Sequence, residues 1–219
     1  MEKKTNNLLK LHIGCGKNAL DGFTNLDNNV FIFFKNIPFI VKILRFFKFV
    51  PKWFPEFIEI VKEKNIRYCN ASRKIPFNNS SVDFIYTCHM LEHLDNEEAK
   101  VFFEESYRVL KPNCILRIVV PNFQLLIDNY IIDKNADSFI RNSHLVGEKP
   151  KSLLKKIQYI LQGHGWHHQM FNENSIKSLK GYKFSSVNIL KAGKTNVKFN
   201  LSLDLNERSH ESIYFELIK

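Results

Sequence analysis

The sequence lacks the features that define several large classes of protein. It has no run of about 20 uncharged apolar residues, because Lys35, Lys42, Arg45 and Lys48 interrupt its most apolar stretch, 30–54. This argues against a helix that spans a membrane. The polar N-terminal residues lead directly into a predicted strand, without the apolar core of a signal peptide.

Cysteine is scarce, and so are glycine and proline. The four cysteines among 219 residues form no CxxC pair and no zinc spacing, a pattern typical of reduced thiols in a cytoplasmic protein. Eight glycines and seven prolines leave no linker or low-complexity segment. We therefore predict one domain over 1–219, of a length that buries a full core.

Acidic residues are outnumbered by basic ones. The chain has 22 Asp and Glu against 32 Lys and Arg, a formal net charge of +10. Such a surface favours an anionic partner, which could be a phosphorylated metabolite, an anionic lipid or a nucleic acid. AT-rich coding DNA would also enrich lysine, so charge alone does not select among these partners.

Short apolar runs alternate with helical patterns along the chain. Strands are predicted at 8–13, 23–26, 66–69, 82–88, 114–120, 185–190 and 211–218, and helices at 39–50, 97–110, 123–133, 151–161 and 173–179. Asn96 is the predicted N-cap of the second helix. This alternation indicates an α/β, Rossmann-like fold with a mostly parallel seven-stranded sheet and helices on both faces.

A glycine turn and an acidic residue suggest a nucleoside ligand. Gly14-Cys15-Gly16 follows the first strand, where paired glycines allow a tight turn and close approach of a ligand. Asp27 follows the second strand, where a carboxylate can accept hydrogen bonds from both hydroxyls of a ribose. Each feature has a simpler interpretation, an ordinary turn for the glycines and a turn or cap residue for Asp27.

Several segments resemble class I S-adenosylmethionine (SAM)-dependent methyltransferases. These segments are the L-H-x-G-C-G of 11–16, the I-P-F and S-V-D-x-I-Y of 75–86, the L-E-H of 91–93 and the R-V-L-K-P of 108–112. The resemblance covers 8–121 and continues more weakly to 184. It departs from the family pattern at His12, Asn18, Asn70 and Asn113, which replace an acid, a glycine, an aspartate and a glycine.

The resemblance implies SAM as cofactor and S-adenosylhomocysteine as product. Gly14, Cys15 and Gly16 would contact the methionyl part, Asp27 the ribose, Asn70 and Ala71 the adenine, and His89 the region of the sulfonium. The Asn70 amide could hydrogen-bond the exocyclic amine of adenine. Many similar bacterial methyltransferases are thought to serve surface-polysaccharide or small-molecule pathways.

Histidines are the candidates for action on the methyl acceptor. An oxygen acceptor must lose its proton, commonly to a histidine or a carboxylate, and His89, His93 and His167 are the catalytic candidates, with His168 beside them. A hydrogen-bonded structural or surface histidine is the simpler interpretation of each. We expect no metal site, since no Asp, Glu or Cys stands within the histidine-rich segment 163–168.

The segment at about 28–64 is a predicted helical insert, both aromatic and basic. It could form an extra packing layer, a lid over the acceptor, or a cationic amphipathic surface at 30–54 that contacts an anionic membrane. The first two interpretations are favoured, because an aromatic face also serves as core.

The sequence thus predicts methylation of a small, anionic molecule, at an oxygen of a sugar or of a phosphorylated surface-glycan precursor. The alternatives are an RNA methyltransferase, a membrane-surface lipid or quinone methyltransferase, and a SAM-fold protein that binds without catalysis. The absence of an N/D-P-P-Y motif after the fourth strand, where Thr87–Met90 stand, argues against a nucleic-acid substrate.

Overall fold

A single sheet of seven strands organises the chain. The structure, a computed structural model, describes residues 8–46, 50, 53–147, 150–152, 156 and 165–219. The strands are β1 (Lys10–Ile13), β2 (Thr24–Asp27), β3 (Arg67–Tyr68), β4 (Val82–Cys88), β5 (Leu110–Pro121), β6 (Ser186–Leu190) and β7 (Ser212–Ile218). Their order is β3-β2-β1-β4-β5-β7-β6. The first five strands are parallel, and β7 is antiparallel to both β5 and β6, so the predicted mostly parallel sheet is confirmed.

Helices occupy the connections between the strands. The α-helices in the described residues are α1 (Pro38–Phe46), α2 (Phe54–Glu63), α3 (Asn96–Val109), α4 (Phe123–Asp133), α5 (Ala136–Ser143) and α6 (Glu173–Lys177). Short 3-10 helices lie at Val30–Asn36, Leu91–His93 and Ser178–Gly181. No helix in the described part of the chain is long and apolar enough to cross a membrane. The predicted helix at 151–161 falls almost entirely outside the described residues.

The central strands are buried on both faces, as parallel strands covered by helices must be. In β4 the apolar side chains of Val82, Phe84 and Ile85 are fully buried, and β5 buries 115–120 continuously. These runs are rich in β-branched and aromatic residues, which fit a pleated, buried surface. Strand β4, at the centre of the sheet, has its predicted bounds.

The start of α3 differs by one residue from the prediction. Asp95, not Asn96, is the N-cap: its carboxylate accepts a hydrogen bond from Glu98 N at 2.9 Å, and Glu98 Oε2 accepts from Asp95 N at 3.1 Å. This reciprocal capping box satisfies two backbone donors that would otherwise lack partners. The helix ends at Val109, and β5 begins at Leu110 rather than at residue 114.

A buried ion pair fixes the antiparallel side of the sheet. Arg117 of β5 donates to Glu216 of β7 at 2.9 Å, and both side chains are at most 1% exposed. Thr195 Oγ1 and Asn196 N also donate to the Glu216 carboxylate, at 2.6 and 2.8 Å. These additional hydrogen bonds offset the cost of removing two charges from water.

The insert between β2 and β3 combines a packed part and an exposed part. Phe31, Phe54 and Phe57 are buried in a cluster that includes Cys15 of the glycine turn, and the rings of Phe31 and Phe54 meet edge to face at 4.8 Å between centroids. Phe39 and Phe46 of α1 are instead exposed. The packing-layer interpretation therefore fits α2 and the first 3-10 helix, whereas α1 packs against this cluster through Val41 and leaves its phenylalanines Phe39 and Phe46 exposed.

Candidate active site

A pocket lies at the carboxyl ends of β1 and β4, where the strand order reverses. The chain runs outward from β1 to β3 and returns to β4 on the other side of β1, and ligands of open α/β sheets bind at such a switch point. The pocket has a volume of about 390 Å³, within the usual range for small-molecule sites. Its walls include Ile13, Gly14, Asp27, Asn70, Ala71, His89, Met90, His93, Trp166 and His168.

The first turn of the pocket requires glycine. Gly14 has φ of +70°, and a Cβ at this position would collide with the side chain of Met90. The glycine lets β1 approach the segment that follows β4. The contact of this turn with the methionyl part of SAM stays a prediction.

Asp27 holds this turn in place. Its Oδ2 accepts from Gly16 N at 2.7 Å and its Oδ1 from Asn29 N at 2.9 Å. Burial raises the pKa of Asp27, while these two backbone N–H groups act in the opposite direction. A carboxylate has about four lone-pair positions, so Asp27 can accept two more hydrogen bonds from a ribose.

The remaining predicted cofactor residues divide into two groups. Asn70 and Ala71 line the pocket, whereas Cys15 is buried against the insert and Gly16 contacts Asp27. Asn70 Oδ1 already accepts from Ser72 N at 3.1 Å and Ser72 Oγ at 2.7 Å. An adenine amine would therefore compete with Ser72 for this oxygen, and its contact with Asn70 stays a prediction.

His89 lies directly after β4 in an uncommon backbone conformation. Its φ is +51°, the left-handed region that costs a non-glycine residue about 1 kcal/mol or more. Nε2 lies 2.8 Å from Ser212 Oγ, and Nδ1 lies 3.5 Å from Glu92 Oε1. Burial, followed by the charge of Arg208, lowers the pKa of His89 to about 4, so the ring is neutral at physiological pH.

His93 and His167 meet although 73 residues lie between them in the chain. Their ring centroids are 5.1 Å apart. His93 Nδ1 lies 3.0 Å from the carbonyl oxygen of Trp166. A carbonyl only accepts, so Nδ1 carries the proton of the neutral ring and Nε2 its lone pair. His93 lines the pocket, whereas His167 lies behind its wall.

Glu92 is the residue of this site that the sequence analysis missed. Its side chain is 1% exposed, lies within 4.0 Å of His89 and His167, and makes no hydrogen bond through either oxygen in the described structure. Burial raises the pKa of Glu92 to about 7. Burial also lowers the pKa of His167 to about 4, with smaller contributions from His93 and His144.

The backbone brings these side chains together. The carbonyl oxygen of Glu92 accepts from His168 N at 2.7 Å and from Gln169 N at 3.1 Å, so the segment 165–169 docks on the 3-10 helix Leu91–His93. Our reason for expecting no metal site, the absence of an acid within 163–168, therefore does not hold in three dimensions. His164 of that segment lies outside the described residues.

Comparisons with known proteins agree with this fold. A family model described as a methyltransferase domain matches residues 53–118. A SAM-dependent methyltransferase from Archaeoglobus fulgidus superimposes with a TM-score of 0.51 at 15% identity, over 97% of this chain and 86% of that one. A SAM-dependent methyltransferase from Thermotoga maritima superimposes with a TM-score of 0.52 at 13% identity, over 96% of this chain and 82% of that one. The chain therefore has the fold of class I SAM-dependent methyltransferases.

No curated protein sequence matches the chain significantly. At the identities of the solved structures, the similarity describes the fold, and the family match concerns the enzyme class. The match to a methyltransferase domain implies SAM as cofactor, and Asp27, whose carboxylate holds Gly16 N and Asn29 N with lone pairs to spare, would accept from its ribose. When bound, SAM supplies an activated methyl group, so the protein must align the acceptor and exclude water.

Proposed function

We propose that this methyltransferase acts on a small molecule and transfers the methyl group to a hydroxyl oxygen of a sugar or of a phosphorylated surface-glycan precursor. The observation that carries the proposal is the set of histidines at one end of the SAM pocket. His89 and His93 line the pocket directly after the strand whose carboxyl end faces it. A hydroxyl acceptor must lose a proton, and a neutral imidazole can accept one.

The pocket wall beside these histidines also suits a hydroxyl-rich acceptor. Trp166 lines the pocket. Its ring offers the acceptor a large apolar surface beside the histidines.

The overall charge of the chain supports an anionic acceptor. A net charge of +10 favours a phosphate-bearing molecule over a neutral one. The proposal thus combines a sugar hydroxyl with a nearby phosphate.

The test is formation of S-adenosylhomocysteine with sugars, sugar phosphates and nucleotide sugars as acceptors. We expect turnover with a phosphorylated sugar. His89→Ala and His93→Ala should each lose about 10²–10⁴ in rate and retain SAM affinity. His210→Ala is the matched control, because His210 is 80% exposed and lies outside the pocket-lining residues.

Two results would contradict the proposal. Turnover of an amine but of no hydroxyl compound would make the acceptor chemistry wrong. Full turnover of a phosphorylated sugar by both histidine variants would show that neither histidine acts on the acceptor. SAM binding without turnover of any acceptor class would instead favour the non-catalytic alternative.

A second proposal concerns where the enzyme works. In α1 the exposed aromatic residues Phe39 and Phe46 share the helix with exposed Lys42 and Arg45, the composition of a helix that lies on an anionic membrane. We expect the wild type to sediment with vesicles containing phosphatidylserine and not with neutral vesicles. A Phe39→Ser, Phe46→Ser double variant should lose this binding, and equal sedimentation of wild type and variant would exclude the contact.

The lid interpretation of the insert has less support. Of the described insert residues, Asn28 lines the pocket, while the buried aromatic residues pack against Cys15. A lid role therefore stays a prediction.

A further inference from the structure

We propose that Glu92, His93 and His167 form a binding site for one divalent transition-metal ion of the zinc type. One carboxylate oxygen of Glu92 and one ring nitrogen from each histidine all lie within 4.8 Å of one another. Two imidazoles and a carboxylate, with one position left for water or substrate, are the ligand set of many zinc sites.

The distances fit an ion after small side-chain movements. Zinc lies about 2.0–2.1 Å from nitrogen and oxygen ligands, so ligand atoms of a tetrahedral site are about 3.3 Å apart. Glu92 Oε1 and His167 Nε2 are 4.0 Å apart. The ligand atoms must therefore approach one another by about 1.5 Å or less, a distance that side-chain torsions can cover.

Glu92 provides the independent reason to expect a ligand here. A carboxyl group that is 1% exposed and makes no hydrogen bond through either oxygen in the described structure is costly to maintain, because it has lost its interactions with water and gained none in return. His89 Nδ1, at 3.5 Å, is too far for a good hydrogen bond. A cation coordinated by Glu92 would remove this cost.

The surroundings of the cluster are those expected for ligating histidines. His93 donates its Nδ1 proton to the carbonyl oxygen of Trp166 at 3.0 Å, so the lone pair lies on Nε2. Ligating histidines usually make such a second hydrogen bond, which fixes the tautomer and the ring orientation. The backbone of 168–169 is tied to Glu92, so the segment carrying His167 is held in place.

The ligand types also select the ion. Two nitrogen ligands disfavour Mg²⁺ and Ca²⁺, which prefer oxygen, and suit Zn²⁺ and Co²⁺. Because His93 also lines the pocket, an ion at this site would lie beside the acceptor. Coordination uses the lone pair of His93, so with the ion bound His89 is the histidine left to accept the proton of the acceptor. That consequence rests on the proposed function, whereas binding of the ion does not.

The test is a titration of the chelator-treated full chain with Zn²⁺, followed by calorimetry, with Co²⁺ absorption in the visible range as a second readout. We expect one equivalent of Zn²⁺ to bind and to raise the melting temperature. Glu92→Gln, which keeps the shape of the side chain, should weaken Zn²⁺ binding by at least about 100-fold, more than is typical for residues behind the ligands. His167→Gln is the second variant if Glu92→Gln fails to fold.

The control is His210→Ala, which removes an exposed histidine and should bind Zn²⁺ as the wild type does. Absence of a one-equivalent event in the wild type, unchanged affinity in a folded Glu92→Gln or His167→Gln variant, or Mg²⁺ binding as tight as Zn²⁺ binding would each overturn the proposal. SAM binding, measured separately on the metal-free protein, keeps this outcome distinct from failure of the proposed function.

Discussion

Asp27 is the residue on which SAM binding should depend most directly. The Asp27→Ala change removes the expected acceptor of the ribose hydroxyls and also releases the two backbone N–H groups, of Gly16 and Asn29, that the carboxylate now holds at 2.7 and 2.9 Å. A hydrogen bond to a charged group contributes about 1.5–3 kcal/mol. Allowing for relaxation of the turn, we expect SAM affinity to fall by about 1–3 kcal/mol, or about 5- to 150-fold.

The assay is calorimetric titration of SAM and S-adenosylhomocysteine into each variant. Asp27→Asn keeps the volume of the side chain but offers one accepting oxygen where two N–H donors must be satisfied, so it should not restore wild-type affinity. Asp21→Asn is the matched control. This carboxylate belongs to the same β1–β2 connection, but its side chain is 86% exposed and pairs with Lys64 at the surface, where such pairs contribute about 0–1 kcal/mol.

The pH dependence of SAM binding provides a second test of the role of the Asp27 carboxylate. The ionised form of Asp27 accepts the ribose hydrogen bonds, and burial raises the pKa of Asp27. SAM affinity of the wild type should therefore begin to fall, on acidification, at a higher pH than an exposed aspartate would give. An Asp27→Ala variant that is folded and binds SAM with wild-type affinity would refute the assignment.

The other predictions concern stability. Two hydrogen bonds from Arg108 lower the pKa of Glu105. This pair therefore stabilises the fold above the unfolded-state pKa of Glu105, and the stabilisation is lost as the pH falls through the folded-state pKa. The urea midpoints of the wild type and of Glu105→Gln should differ at pH 7 and converge in acid, and a difference that stays constant with pH would contradict this. Arg117→Met should cost about 3–5 kcal/mol of unfolding free energy, because Glu216 remains as an uncompensated buried charge, and an Arg117→Met, Glu216→Leu double variant should be more stable than the single variant in the same urea titration.

The parts of the fold that the sequence predicts well are those with strong local patterns. Strand β4 has its predicted bounds, Val82–Cys88, because a run of β-branched and aromatic residues is buried on both faces of the sheet. Helix α4 also matches, at Phe123–Asp133, with Asn122 as its N-cap. In both cases the residues that define the element, the apolar run of β4 and the capped helical pattern of α4, lie within it or next to it in the sequence.

Predictions failed where two segments had to be considered together. Strand β5 starts at Leu110 because Val82 of β4 pairs with it, with an irregular register between Val82 and Phe84. The Lys111-Pro112-Asn113 segment therefore interrupts no strand, although its composition is that of a turn. Helix α5, at Ala136–Ser143, was not predicted, since its few apolar residues give a weak helical pattern.

The two ends of the pocket differ in the same way, and this explains why the cofactor was easier to predict than the acceptor. The predicted SAM end depends on Gly14, Gly16 and Asp27, which lie close together in the chain: Gly16 N donates to Asp27, and Gly14 N donates to the carbonyl oxygen of Leu26. The acceptor end depends on the contact between Leu91–His93 and the segment 165–169, which meet through two backbone hydrogen bonds to Glu92. Sequence spacing can indicate the first arrangement, because its parts are local.

The second arrangement has no local equivalent, since neither segment alone holds a complete site. Glu92 in an L-E-H turn has the appearance of a surface residue, and the histidines of 167–168 have that of a loop. Only the docking of one segment on the other buries the carboxylate and places two imidazoles beside it. The chemistry of the acceptor end is therefore a property of the folded chain, and a change that loosens this docking should impair the acceptor end while Asp27 and the glycine turn continue to hold SAM.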